Sequence, residues 1–468
     1  METFINNIGV IKNSLIKIDG LTVITGDNNS GKSTIGKAIS SIVNSTINLR
    51  EKRFFEVRTY TISIVRDTIR MMNLDYYFHV LRLPKSKNES FKFVLLLRAL
   101  QEDYSFIFET SDDDSLKNVL LELVDELRNI NFINLLNDFG INRKKIVPED
   151  FDLRKNRAIQ MLTNQIKNLY DDKSLTKYAN NAIAIGLANT FYNQIQPVKN
   201  PNCTSKFKMT EDGKTLYDLD IENNRIVKGN FYKNPFVFNH YISDCNIIDK
   251  IERYYNRGNI DDFRLMYRFS MNYEESDDSL EVSLIKSLVK RNNALEMQQY
   301  AKEYSKFIDE INSVFPEKVV FNNGKYICKE NKLDVKNLAT GSKLFAIFKM
   351  LLENGMINNE TLIVLDEPEN HLHPQWQLIL AKIITFMVKE IGTKFIVTTH
   401  SPSFLTALNA YSVDFGLEQK SNYYYTKRLE DNYSIQLENV NGEKMHEAYY
   451  HLNKPFIDIN DFFDSIEE

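Results

Sequence analysis

Residues 26–33 read GDNNSGKS, and a second set of reactive side chains, LDEPENHLH, follows far downstream at 365–373. The first satisfies the spacing G-x-x-x-x-G-K-[ST]. Glycine at 26 and 31 lets the backbone turn closely around phosphate, consecutive N–H groups and a helix N-terminus supply positive potential, Lys32 adds charge to the outer phosphates, and Ser33 offers a hydroxyl to magnesium. The expected nucleotide cradle is Gly26, Asp27, Asn28, Asn29, Ser30, Gly31, Lys32, Ser33 and Thr34. Asp366 and Glu367 follow an apolar run, which puts them at the carboxyl end of a buried strand, where open α/β sheets bind ligands. An acidic strand end beside a phosphate loop suits magnesium, and a second carboxylate there can polarise a water for attack, so hydrolysis is expected rather than storage. His400, in VTTHSP, ends another strand and is expected at the terminal phosphate. His371 and His373 alternate as metal ligands do, but no further ligands accompany them, and loop packing is the expected role.

These groups need strands that end together. GLTVITG is a short β-branched run stopped by glycine, and KSTIGKAISSIV places Ile35, Ala38, Ile39 and Ile42 at helical spacing. TLIVLDEPE is an apolar strand, PQWQLILAKIITFMVKEIG a helix opened by Pro374 and closed by Gly392, and KFIVTTHSP a further strand. Strands and helices in this alternation predict a parallel α/β sheet. From about 50 to about 315 the texture is mainly helical, as in SLKNVLLELVDELRN, with no sustained heptads. FNNGKY then carries the Asn-Gly signature of a tight hairpin and marks the return to the sheet.

The chain has 468 residues, 43% hydrophobic and 26% charged, so a globular protein with more than one packed unit is expected. Fifty-eight Lys and Arg against 63 Asp and Glu give a net charge of -5, which supplies no chain-wide attraction for nucleic acid or anionic membrane. Apolar runs fall short of the roughly 20 residues of a membrane helix, and the start lacks a secretion signal; a cytoplasmic protein without membrane partners is expected. Cys203, Cys245 and Cys328 lie far apart without CxxC spacing, which suits reduced thiols.

Taken in order, GDNNSGKST, NLATGSKLFAIFKMLLENG, LIVLDEPENHLHPQWQ and FIVTTHSPSFL resemble the ABC-type ATPase heads of SMC and RecF relatives. They are most similar to stand-alone bacterial AAA/ABC-like ATPases of anti-phage defence cassettes, including the OLD and Septu types. The likeness covers about the first 45 and the last 150 residues. It implies an α/β P-loop NTPase head, ABC ATPase-like, split by a large helical insertion: head over 1–49, insertion over 50–315, head again over 316–468. It implies ATP and Mg2+ as cofactors, Lys32 as the P-loop lysine, Ser33 and Asp366 as magnesium ligands, Glu367 as catalytic base and His400 as switch histidine. LATGSK, residues 338–343, matches the signature that reaches a partner's ATP; Ala339 replaces the usual serine, Thr340 offers a hydroxyl beside it, and Gly341 and Ser342 complete the helix start. A Q-loop glutamine is expected inside the insertion.

The same resemblance implies a homodimer of heads, or a higher homo-oligomer, with ATP between them, acting as a switch on a separate effector such as a nuclease or toxin, with nucleic acid as a further partner left open. An SMC- or RecF-like role in DNA maintenance is the alternative. A transporter subunit fits less well, because about 300 residues separate P-loop and signature. A nuclease domain after the head is not expected, since the 68 residues beyond His400 read as strands and a terminal helix.

Overall fold

The computed structural model describes residues 1–50, 52–53, 113–129, 151–170, 173–256, 279–289, 304–322 and 325–467. They divide into two compact units, one of residues 1–47 and 179–468 and one of residues 48–178. In the smaller, helices Asp113–Asn129 and Phe151–Tyr170 bury Val124, Leu127, Ala158, Leu162 and Ile166, and Lys155 Nζ donates to the Arg128 carbonyl at 2.9 Å.

Among the described residues the larger unit holds two sheets and a two-stranded pair. Strands β1 (Glu2–Asn6), β2 (Ser14–Lys17), β4 (Ser205–Glu211), β5 (Lys214–Glu222) and β6 (Arg225–Phe231) form an antiparallel sheet in the order β2-β1-β4-β5-β6. Strands β3 (Leu21–Thr25), β7 (Phe238–Ile242), β10 (Thr361–Asp366), β11 (Lys394–Thr399), β12 (Ser421–Arg428) and β13 (Ile435–Asn439) form the second sheet, in the order β13-β12-β3-β11-β10-β7. It is parallel except for β13 at its edge. The central strands β3 and β10 are buried along nearly their whole length, as parallel strands covered on both faces must be.

Helix Lys32–Thr46 buries Ile35, Ala38, Ile39 and Ile42, the four positions its spacing selects. They share one core with Phe207 and Tyr217 of the antiparallel sheet and Ile24, Val364 and Ile396 of the parallel one. Each buried isoleucine contributes about 1.5–3 kcal/mol, so the helix that follows the P-loop is held from both sides. A second core surrounds helix Thr340–Glu353, through Leu344, Phe345, Ile347 and Phe348. Strands β8 (Val319–Asn322) and β9 (Lys325–Cys328) pair with Asn322 opposite Lys325, and the Asn-Gly pair expected to turn between them lies outside the described residues.

The stretch 50–315, read as mainly helical, is mixed. Residues 205–242 within it form four strands, and β7 belongs to the parallel sheet itself. The smaller compact unit spans 48–178. The alternating burial of β4 and β5 is the half-covered strand pattern, and their local period of two is lost when a long window is averaged.

Candidate nucleotide site

Register brings the site together. Thr25 at the end of β3 lies opposite Thr399 of β11, and Thr398 lies opposite Asp366 of β10, so the P-loop, the paired carboxylates and His400 all leave one end of the sheet. At Gly26 the backbone has φ +147°, and a methyl group there would sit 1.8 Å from Thr426 Oγ1 of β12. Gly31, at φ +77°, starts the helix, and a methyl group would meet Val10 at 2.6 Å and Ile11 at 2.8 Å. Both positions therefore need glycine for conformation and for space. Thr426 Oγ1 also donates to Ser30 Oγ at 2.7 Å, which ties the loop to the neighbouring strand. Asp27, Asn28 and Asn29 are exposed at its tip, and Thr34, half-buried, lies under Gly9.

Lys32 is buried with its ammonium donating to the carbonyls of Gly26 at 3.0 Å and Asp27 at 2.8 Å, 3.5 Å from Glu367 Oε1. Ser33 Oγ donates to Asp366 Oδ1 at 2.9 Å. The same oxygen accepts Thr398 Oγ1 at 2.5 Å, while Oδ2 accepts Tyr241 OH at 2.8 Å. Three donors from three elements thus fix one carboxylate, and burial together with that neighbouring charge pushes the Tyr241 phenol up. Two hard oxygens side by side, Ser33 Oγ and Asp366 Oδ1, suit magnesium, which takes one or two protein oxygens and completes its shell with water and phosphate. Among the described residues no group of three or more His, Cys, Asp or Glu converges as an all-protein metal site.

Glu367 has a left-handed backbone, φ 51° and ψ 52°, and its N–H donates to the Thr398 carbonyl and hydroxyl, both at 3.1 Å. A non-glycine residue held there marks a site whose surroundings dictate its geometry. Its Oε2 accepts Asn370 Nδ2 at 3.1 Å and its Oε1 lies 3.6 Å from His400 Nδ1. Burial pushes this carboxyl up, but the Asn370 amide, Lys32 and His400 outweigh it, and the group stays ionised to lower pH than an ordinary glutamate. Glu369, two residues on, is buried, and there burial dominates and raises its pKa. Its Oε1 accepts the Thr399 hydroxyl at 2.5 Å and the His400 N–H at 3.1 Å.

Thr340, Gly341 and Ser342 begin the helix Thr340–Glu353, with Ala339 at its N-cap making no side-chain cap. Gly341 is buried, and a methyl group on it would meet Leu372 at 3.0 Å, the His371 carbonyl at 3.1 Å and Trp376 at 3.2 Å. This glycine is thus engaged with the chain just beyond Glu367, while Thr340 and Ser342 are half-exposed. Lys343, the last residue of LATGSK, is buried against Asp249 at 2.7 Å and Asn246 at 3.2 Å. His373 accepts the Gln375 N–H at 3.3 Å and caps the helix Pro374–Glu390, a structural use of a residue that resembled a metal ligand.

Sequence reasoning passed over Tyr241, Thr398, Glu369 and Thr426. Glu369 and Thr398 lay inside motifs already singled out; Tyr241 and Thr426 carried no local signal.

A family model described as the AAA ATPase domain matches residues 3–405. Among curated proteins, the endonuclease GajA of Bacillus cereus (strain HuB5-5) is 22% identical over 476 residues, a match that covers 92% of this chain and 60% of the relative's length. Among solved structures, the SMC head domain from Thermotoga maritima aligns over 94% of this chain and 98% of its own, at 11% identity and a TM-score of 0.36. An Smc head bound to the C-winged helix domain of ScpA aligns over 95% and 98%, at 10% identity and a TM-score of 0.35. No helix among the described residues is long and apolar enough to cross a membrane. With its phosphate loop, paired carboxylates and parallel sheet, the chain belongs to the AAA ATPase domain family.

Proposed function

We propose that this chain binds ATP with magnesium, hydrolyses it, and uses the cycle to join and separate a pair of its own heads, acting in bacterial anti-phage defence on a separate effector such as a nuclease or toxin. The observation that carries the reading is the meeting of Lys32, Ser33, Asp366, Glu367 and His400 at one end of the sheet. The name of the relative GajA, an endonuclease, supports nuclease chemistry as the output the switch governs.

On this reading Lys32 leaves the Gly26 and Asp27 carbonyls for phosphate oxygens, and the loop N–H groups and helix N-terminus hold the rest of the anion. Ser33 and Asp366 would hold magnesium, which would supply positive charge to offset that of the outer phosphates. Glu367 orients a water and accepts its proton, and His400 donates to the terminal phosphate. The uncapped N-terminus at Thr340 faces a second head's phosphate, and the missing serine at 339 leaves that contact to backbone N–H groups and the Thr340 hydroxyl.

Calorimetry with Mg-ATP tests the nucleotide half of the reading: Lys32→Ala should weaken binding by about 2–3 kcal/mol, roughly a hundredfold, and unchanged affinity would remove the reading. Thr340→Asp tests the association of heads. Asp at a helix start favours the helix dipole, so this half-exposed change should leave the fold intact while repelling phosphate across the interface; ATP-dependent association that survives it, by light scattering or crosslinking, counts against signature closure.

A further inference from the structure

Two buried polar atoms at this site lack partners, Glu369 Oε2 and His400 Nδ1. The ring nitrogen lies 3.7 Å from Glu369 Oε1 and 3.6 Å from Glu367 Oε1, too far for a hydrogen bond to either. A small ring movement closes the gap to one carboxylate or the other. Glu367 already has Asn370 on Oε2 and Lys32 near Oε1. Glu369 holds the residue from beneath, through the His400 N–H and the Thr399 hydroxyl, and has an oxygen to spare.

We propose that Glu369 is a positioning residue that acts through His400: its carboxyl and Nδ1 share one proton, which keeps Nε2 a donor toward the terminal phosphate and leaves Glu367 free for water. The pair then carries two protons, one shared and one on Nε2; whichever group holds the shared one, imidazolium beside carboxylate or neutral ring beside carboxylic acid, Nε2 keeps its hydrogen, whereas a pair with a single proton, held on Nδ1, would leave Nε2 bare. Drawn instead to Glu367, the ring would occupy the oxygen that must take the water's proton. The inference rests on the ATPase reading above and adds a residue to it.

Glu369→Gln keeps an acceptor for Thr399 and the His400 N–H but cannot share a proton with the ring. At saturating ATP its kcat should fall on the order of tenfold, the usual size for a group that orients a reacting side chain, with the KM for ATP unchanged within about twofold and His400→Ala slower still. In the His400→Ala background, Glu369→Gln should cost nothing more. Losses that multiply in the double variant, or turnover in Glu369→Gln equal to wild type, overturn the proposal. A measurement on the unaltered protein decides independently of any variant: imidazole nitrogen shifts with a non-hydrolysable ATP analogue bound should show a proton on Nε2 of His400, and a bare Nε2 overturns it. Failure of the broader reading looks different, because wild type would then turn over no ATP or Lys32→Ala would bind it unchanged, and the proposal would fall with that reading.

Discussion

Glu367→Gln separates two roles of one carboxylate. In the structure Glu367 Oε1 lies 3.5 Å from the Lys32 ammonium, whose side chain is 3% exposed against 27% for the glutamate. Coulomb attraction at that distance is about 1 kcal/mol at the dielectric of water and about 5 kcal/mol at an effective value near 20. One partner is partly open to solvent, so about 1 kcal/mol is the appropriate figure. Nucleotide binding has to give up this pair as Lys32 turns to phosphate, and the carboxylate also repels the incoming anion. Both effects vanish in the glutamine variant, which should bind Mg-ATP roughly fivefold more tightly than wild type. The amide cannot accept the water's proton, so hydrolysis should slow by at least about a hundredfold. ATP should then persist between heads, and the closed pair should be more populated than in wild type. Calorimetry reads the affinity, release of labelled phosphate the rate, and light scattering or crosslinking the closure. Weaker binding than wild type, or an unchanged rate, refutes the assignment of Glu367.

Gly26→Ala should weaken ATP binding, because the added methyl meets Thr426 Oγ1 at 1.8 Å; Thr426→Ala in the same chain should restore some of the affinity by calorimetry, and no recovery would place the cost in the φ of +147° alone. His240 is fully buried with Nε2 2.7 Å from the Met356 carbonyl, and burial pushes its imidazole down to about 4. The unfolded chain takes up this proton near pH 6.5, so the folded state has its full stability above that value and loses about 2 kcal/mol by pH 5. His240→Asn should flatten the fall in melting temperature between about pH 7 and 5, and parallel curves for the two proteins would contradict the assignment.

The sequence by itself determined the regions of this protein whose chemistry is contiguous. Gly26 to Ser33 must turn between a strand and a helix, and glycine and lysine spacing record that within eight residues. The four apolar positions of the following helix and the runs TLIVLD and KFIVTT are likewise local periodicities, and each emerged as an element where it was expected. Tertiary structure decided what depends on pairing between distant segments. β11 lies between β3 and β10, which aligns Thr398 with Asp366, and β7, drawn from a stretch of helical texture, becomes the edge that carries Tyr241 to the same carboxylate. Thr426 is 400 residues from Gly26 in sequence and would be 1.8 Å from its methyl group in space. Strand order and register are set by which buried faces fit together over long loops, and no short window contains both partners. Glu369 shows the limit from the other side: its letter stood inside a recognised motif, yet only burial and the contacts with Thr399 and His400 gave that carboxylate something to do.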